Sequence, residues 1–161
     1  MDKPRKIFIA IPSLSDAVKV NTMICVLDAM CDALIRGWAF EIHGYAGINP
    51  ISNCRNYILA QFLASDCDDL VFIDDDVAWE RGALNRLLDH PVDFVIGAYP
   101  YRSDAGGFPV RYLSERVKSD PETGLLEIAG GGFGFARLTR RCAERMVEAY
   151  AALAYPEKGC P

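Results

Sequence analysis

Ten residues, Leu70-Val71-Phe72-Ile73-Asp74-Asp75-Asp76-Val77-Ala78-Trp79, carry the densest chemical signal in the chain. Four apolar residues run directly into three carboxylates. An uninterrupted apolar run predicts a strand buried on both faces, as in the middle of a parallel sheet. Its carboxyl end then opens at the sheet edge where α/β proteins bind ligands. In extended backbone alternate side chains share a side, so Asp74 and Asp76 are expected to point one way and Asp75 the other. Such a pair suits Mg²⁺ or Mn²⁺, which take one or two carboxylates and complete the shell with substrate phosphates. The plainer alternative is a solvated acidic turn, since surface Asp is common and often caps helices. Yet Asp66, Asp68, Asp69, Asp74, Asp75 and Asp76 fall within eleven residues. Carboxylates crowded at a buried strand end repel one another unless a cation or a proton relieves them. The cluster therefore predicts a metal site on Asp74 and Asp76.

Composition bounds what such a site can serve. With 161 residues, 51% hydrophobic and 24% charged, the chain is long enough for one domain with a sizeable core. A net charge of −5 argues against nucleic acid as a partner, because affinity for phosphate backbones comes from Lys and Arg. No apolar stretch approaches the length that spans a bilayer. The apolar run after Lys6 stops at Pro12, too short for a signal peptide. The six cysteines (Cys25, Cys31, Cys54, Cys67, Cys142, Cys160) contain no Cys-x-x-Cys pair, and most sit in apolar, helix-like segments. They read as free, buried thiols of a reducing, cytoplasmic compartment. With two histidines and no ligand spacing, zinc is not expected.

The elements that must position the carboxylates follow in order. Lys6 to Ile11 is an apolar strand stopped by Pro12, and Ser13 or Ser15 can cap the next helix. In that helix Val20, Met23, Ile24, Leu27, Cys31 and Leu34 keep helical spacing, and Gly37 ends it. A strand from Ala39 to Tyr45 leads through Gly47-Ile48-Asn49-Pro50 to a helix that ends near Ala64. Ile58, Leu59, Phe62 and Leu63 form its inner face. Beyond the aspartates come a short helix near Arg81 to Leu88, with Leu84, Leu87 and Leu88 inward, and a strand from Val92 to Ala98. This alternation predicts an α/β sheet, mainly parallel. After Tyr99, a strand from Val110 to Val117 and a return from Leu125 to Ile128 flank the turn at Ser119 to Gly124, predicting an antiparallel hairpin. Thr139 caps a last helix with Cys142, Met146, Val147 and Tyr150 on one face.

Five features in this order resemble nucleotide-sugar glycosyltransferases of the GT-A fold, in their bacterial and phage (family 2-like) form. They are Ile11-Pro12-Ser13 closing the first strand, Arg55-Asn56 opening the second helix, and Phe72-Ile73-Asp74-Asp75-Asp76. Gly97-Ala98-Tyr99-Pro100-Tyr101-Arg102 and the run from Gly130 to Leu138 complete the set. The resemblance spans about Ile7 to Tyr150 and implies a single GT-A-like domain over 1–161. Residues 1–98 would form a Rossmann-like nucleotide-sugar-binding half, and residues 99–161 would start an acceptor half that stops early.

The resemblance also implies roles. Asp74 and Asp76 match the Asp-x-Asp motif holding Mn²⁺ or Mg²⁺ on the donor diphosphate, with Asp74 or Asp75 also reaching the ribose or sugar. Pro12 and Ser13 match the loop along the base, and Arg55 a donor-contacting position. Gly131 and Gly132 match a wall near sugar and acceptor. The expected partners are a UDP- or GDP-sugar and a glycan or other hydroxyl acceptor, with a homo-oligomer as a further option. Each residue also has a plainer role: Arg55 as the partner of a carboxylate, the glycines as a bulge, and Trp79, Tyr99 and Tyr101 as packing aromatics. The family's late acidic base and metal-site histidine have no counterpart, since no histidine follows His90 and the late acids are Glu144, Glu148 and Glu157. The leading expectation is thus a metal-dependent glycosyltransferase or its donor-binding portion. A non-catalytic nucleotide-sugar-binding module is the alternative. A haloacid-dehalogenase-type phosphotransferase fits less well, because its Asp-x-Asp follows the first strand.

Overall fold

The structure is a computed structural model and describes residues 3–101, 106–115 and 117–154. In chain order its elements are β1 (Lys6–Ser13), α1 (Val20–Ile35), β2 (Ala39–Ala46), α2 (Ile51–Ala64), β3 (Asp69–Ile73) and α3 (Ala83–Asp89). There follow β4 (Phe94–Ile96), β5 (Val110–Tyr112), β6 (Ile128–Gly131), β7 (Phe135–Thr139), α4 (Arg140–Ala149) and a 3₁₀ turn at Ala151–Leu153.

The two apolar runs lie side by side. β1 buries every residue after Lys6, and β3 buries all five of its residues. They occupy the middle of a five-stranded sheet ordered β2-β1-β3-β7-β4. β1 pairs in parallel with β2 and β3, while β7 runs antiparallel between β3 and β4. The sheet is therefore mixed, where the alternation of elements predicts a mainly parallel one. The strand behind the difference is β7, which the sequence does not announce. Its Arg137 is buried on the same face as Phe135, so the segment lacks an apolar alternation.

Helices cover both faces. Ile7, Ile9, Ile11, Val71 and Ile73 pack against Val26 and Ala29 of α1 and Leu84, Leu87 and Leu88 of α3. Phe8, Ala10, Leu70 and Phe72 pack against Cys54, Ile58 and Phe62 of α2 and Ala143 of α4. The expected inner faces of α2 and α3 are thus present, with Leu59 and Leu63 partly buried beside the α2 core. On α4 the expectation fails: only Ala143 is buried, and Met146, Val147 and Tyr150 face solvent. Thr139 does cap that helix, its hydroxyl accepting from the Cys142 N–H at 3.1 Å.

Two more local readings change. Neither Ser13 nor Ser15 caps α1, whose first residue follows Lys19 without a side-chain cap. Ser13 instead closes its own loop, its hydroxyl donating to the Ala17 carbonyl and accepting from the Ala17 N–H. The hairpin is shorter and shifted: β5 ends at Tyr112 and pairs with β6, so Val110 meets Gly131 rather than a residue of Leu125 to Ile128. Within the expected strand, residue 116 lies outside the described residues, as do Arg102 and Cys160. Among the described residues all cysteines are free. Cys54 and Cys67 are buried, but Cys31 is exposed, against the expectation for a helical thiol.

A charged network pins the amino end of the sheet. Asp69 opens β3 with 2% exposure and accepts from Arg5 Nε and Arg137 Nε, both at 2.7 Å. The same guanidinium groups donate to the carbonyls of Leu88, His90 and Val92, around the end of α3. Helix ends leave carbonyls without intrahelical partners, and these two arginines satisfy them. Asp69 is therefore a structural residue, inside β3 rather than ahead of it.

Candidate functional site at the carboxyl edge of the sheet

β1, β2 and β3 run parallel, so Ser13, Ala46 and Ile73 end at one edge. β4 ends there too, and β7 begins there, because Ile73 pairs with Phe135 and Ile96 with Ala136. From β1 the chain moves first outward to β2 and then to the other side, to β3. The gap between the ends of β1 and β3 is thus a topological switch point, the place where α/β sheets leave a ligand crevice.

The three aspartates sit at this gap, but not as an extended run. β3 ends at Ile73, and the Val77 N–H donates to the Asp74 carbonyl at 3.2 Å, closing a four-residue turn. The expected alternation, with Asp74 and Asp76 on one side, therefore does not hold, since it requires strand geometry through Asp76 and the strand stops at Ile73.

That turn is braced from two directions. The Asp75 carbonyl accepts from the Lys19 N–H at 2.8 Å, which ties it to the start of α1. The Asp74 N–H donates to the Gly134 carbonyl at 2.8 Å, which ties it to the entry of β7. Further along, Cys25 Sγ bonds both the N–H and the carbonyl of Trp79, whose ring stacks on Phe135 with centroids 4.8 Å apart.

Asp74 is engaged by its side chain as well. Its Oδ1 accepts from Arg55 Nη2 at 3.1 Å, with the two side chains 31% and 26% exposed. Arg55 also lies over the Phe133 ring at 5.2 Å, and its Nε is buried without a hydrogen-bond partner. Gly134 explains the fit. A Cβ there would stand 2.2 Å from Asp74 Oδ2 and 2.8 Å from the Tyr99 hydroxyl. The Tyr99 oxygen accepts from the Gly134 N–H at 3.1 Å. Only glycine lets β7 start this close to the carboxylate.

The other expected site residues fall as follows. Pro12 and Ser13 are buried inside β1, and the part of that loop open to solvent is Leu14 to Ala17. At Gly131 a Cβ would lie 2.1 Å from Ile96 Cδ1, and at Gly132 2.6 Å from the Tyr99 hydroxyl. Close packing accounts for both glycines. Trp79 and Tyr99 are half-buried, and with Val77, Leu87, Leu125 and Phe135 they line a cleft of about 380 Å³ beside α3. Tyr101 is 54% exposed and lies outside that lining. Lys19, Cys25, Phe133 and Gly134 escape sequence reasoning as site residues. Of these, only Gly134 leaves a trace, in the glycine run before β7.

The residues can be tested against a divalent cation. Among the described residues, one group of three donors converges within 4.8 Å, namely Glu41, Asp66 and Cys67, before β3 and away from the aspartate turn. There the Asp66 carboxylate already holds the Lys6 ammonium at 2.8 Å, and burial pushes the Cys67 thiol upward. Asp74, Asp75 and Asp76 belong to no such group of three converging donors. An ion of Mg²⁺ or Mn²⁺ type there would need most of its oxygen donors from elsewhere, such as substrate phosphates. The three aspartates do not fit an ion caged by protein alone.

Replacing Gly134 with alanine is expected to displace the Asp74 carboxylate and break its pair with Arg55. Overpacking of this kind costs roughly 1–3 kcal/mol. Urea unfolding should show that loss, and a fully stable variant would mean the crowding at Gly134 is relieved elsewhere.

Fold and site together define an α/β protein with a braced acidic turn at the carboxyl edge of β1 and β3. No family model matches the chain, and no curated protein or solved structure is significantly similar to it.

Proposed function

We propose that this edge binds a nucleoside-diphosphate sugar and that the chain is a metal-dependent glycosyltransferase of the GT-A type or its donor-binding portion. The observation that carries the reading is the Arg55–Asp74 pair at the switch point, set beside two further carboxylates on a turn held from both sides.

In this reading Asp76 and Asp74 would hold Mn²⁺ or Mg²⁺ together with the diphosphate, and Asp74 or Asp75 would also reach the ribose or sugar. The ion would stabilise the charge that develops on the departing nucleotide. Arg55, with a buried Nε–H lacking an acceptor, supplies charge-assisted donors to phosphate oxygens. Trp79 and Tyr99 give the neighbouring cleft aromatic walls suited to a sugar ring. A haloacid-dehalogenase-type phosphotransferase is disfavoured, because its nucleophile would be Asp74, which is held by Arg55 and wedged against Gly134.

A non-catalytic binding module is the second reading. α4 carries Glu144 and Glu148, and its start is bonded to the opposite edge: Thr139 N–H to Asp93 and Arg140 N–H to Asp68. Incubation with Mn²⁺ and labelled UDP- and GDP-sugars, with and without glycan acceptors, separates the two. Acceptor-dependent release of nucleotide supports a transferase; binding without release supports the module.

A further inference from the structure

α1 is apolar on two opposite sides. Of its sixteen residues only Asn21, Thr22, Asp28 and Asp32 are polar. Thr22, Val26, Ala29 and Ala33 are buried against the rest of the molecule. Opposite them lies the stripe that the sequence marks by its spacing: Val20, Ile24, Leu27, Cys31 and Leu34, separated by four, three, four and three residues. This stripe faces solvent, with Val20 and Leu34 each 73% exposed, Ile24 51% and Leu27 52%. Cys31 is exposed as well, and Met23 and Ile35 extend the patch at 38% and 85%.

Three considerations say what covers it. A helix that is apolar nearly all round is normally buried on both sides. A four-three repeat is the seam by which one helix meshes with another, since it keeps apolar residues facing the partner. The area also fits: the seven side chains expose roughly 600–700 Å², above the usual largest patch on a monomer and near the ~800 Å² each partner gives to a standard interface.

We propose that the outer face of α1 is a homodimer interface, with the seam from Val20 to Leu34 packed on the same seam of a second copy. Both sides of such a contact are the same patch, which is how two-fold dimers form. A lipid surface fits less well. Helices lying on membranes carry Lys and Arg along the polar face, whereas α1 carries none, its exposed polar residues include Asp28, and its Asp32 is paired with Arg81. The basic groups stand only at its ends, Lys19 and Arg36, and Arg36 is paired with Asp89 at 2.8 Å. The proposal is independent of the nucleotide reading.

The test is sedimentation of the 161-residue chain over about 1–100 μM, where mass action reveals a dimer. Wild type is compared with Leu27→Glu, and with Leu153→Glu, whose site is 72% exposed in the C-terminal 3₁₀ turn. Wild type and Leu153→Glu should dimerise at the upper concentrations. Leu27→Glu should stay monomeric with an unchanged circular dichroism spectrum, its dimer dissociation constant raised at least tenfold. Ile24→Ser provides a second, milder break in the seam with the same expected direction. Cys31 should react more slowly with a maleimide as wild-type concentration rises, and at a constant rate in Leu27→Glu. A wild type monomeric throughout, or Leu27→Glu dimers as tight as wild type, would overturn the proposal. So would a monomer that floats with phosphatidylserine vesicles, which would give the face to lipid.

Discussion

Asp69→Ala is expected to lose about 3–5 kcal/mol of stability, the usual cost of deleting one partner from a buried charge cluster. The aspartate is 2% exposed and accepts from two guanidinium groups, and the Arg137 side chain is itself only 6% exposed. Without Asp69, Arg137 keeps its carbonyl partners but loses its counter-charge in a poorly solvated place. Arg5 and Arg137, which also donate to carbonyls around the end of α3, lose their shared acceptor together. Denaturant unfolding measures the effect, and a loss under about 1 kcal/mol would contradict it. Any folded fraction should keep its ligand affinity. Asp69 lies five strand positions before Asp74, roughly 16 Å away at the usual rise.

Asp76→Ala should lower metal-dependent nucleotide affinity by about a hundredfold or more, the order expected when a ligand set is broken. The resemblance makes Asp76 the more direct metal ligand, and the Asp74 carboxylate is already shared with Arg55. Asp66→Ala is the control. It removes a carboxylate from the other acidic group, where the 61% exposed Asp66 side chain pairs with Lys6. Calorimetric titration should find the control unchanged. Equal losses in both variants would mean that diffuse negative charge, and not a defined site, attracts the ion.

The legible parts of this fold are those in which one segment determines its own environment. Leu70 to Ile73 has no polar side to show water, so its central position follows from composition alone. α2 and α3 each carry one apolar face, and each buries it. α1 carries two, and nothing local decides between them; the sheet takes the side with Ala29 and Ala33, small residues that let the helix approach closely. β7 is hidden for a different reason. Its Arg137 looks like a surface residue until Asp69, 68 positions earlier in the chain, is brought opposite it. The site shows the same division. The acidic turn and Arg55 stand out by residue type, whereas Gly134, Lys19 and Cys25 matter through backbone contacts that no residue type announces. The turn itself depends on where β3 stops, and an end at Ile73 instead of Asp76 removes the expected alternation of Asp74 and Asp76.

Metal and nucleotide should bind only together, since the protein offers too few donors to hold the ion alone and too little positive charge at the turn to hold a diphosphate without it. The direct measurement is thermal unfolding of the wild-type chain with Mn²⁺ alone, with UDP, GDP or ADP alone, and with each pair. A ligand specific to the native state raises the melting temperature by mass action, so binding appears as a shift. One nucleotide should give a clear upward shift with Mn²⁺ and little or none without it, and Mn²⁺ alone should give little. A shift by nucleotide that ignores Mn²⁺, or no shift by any pair, would contradict the account.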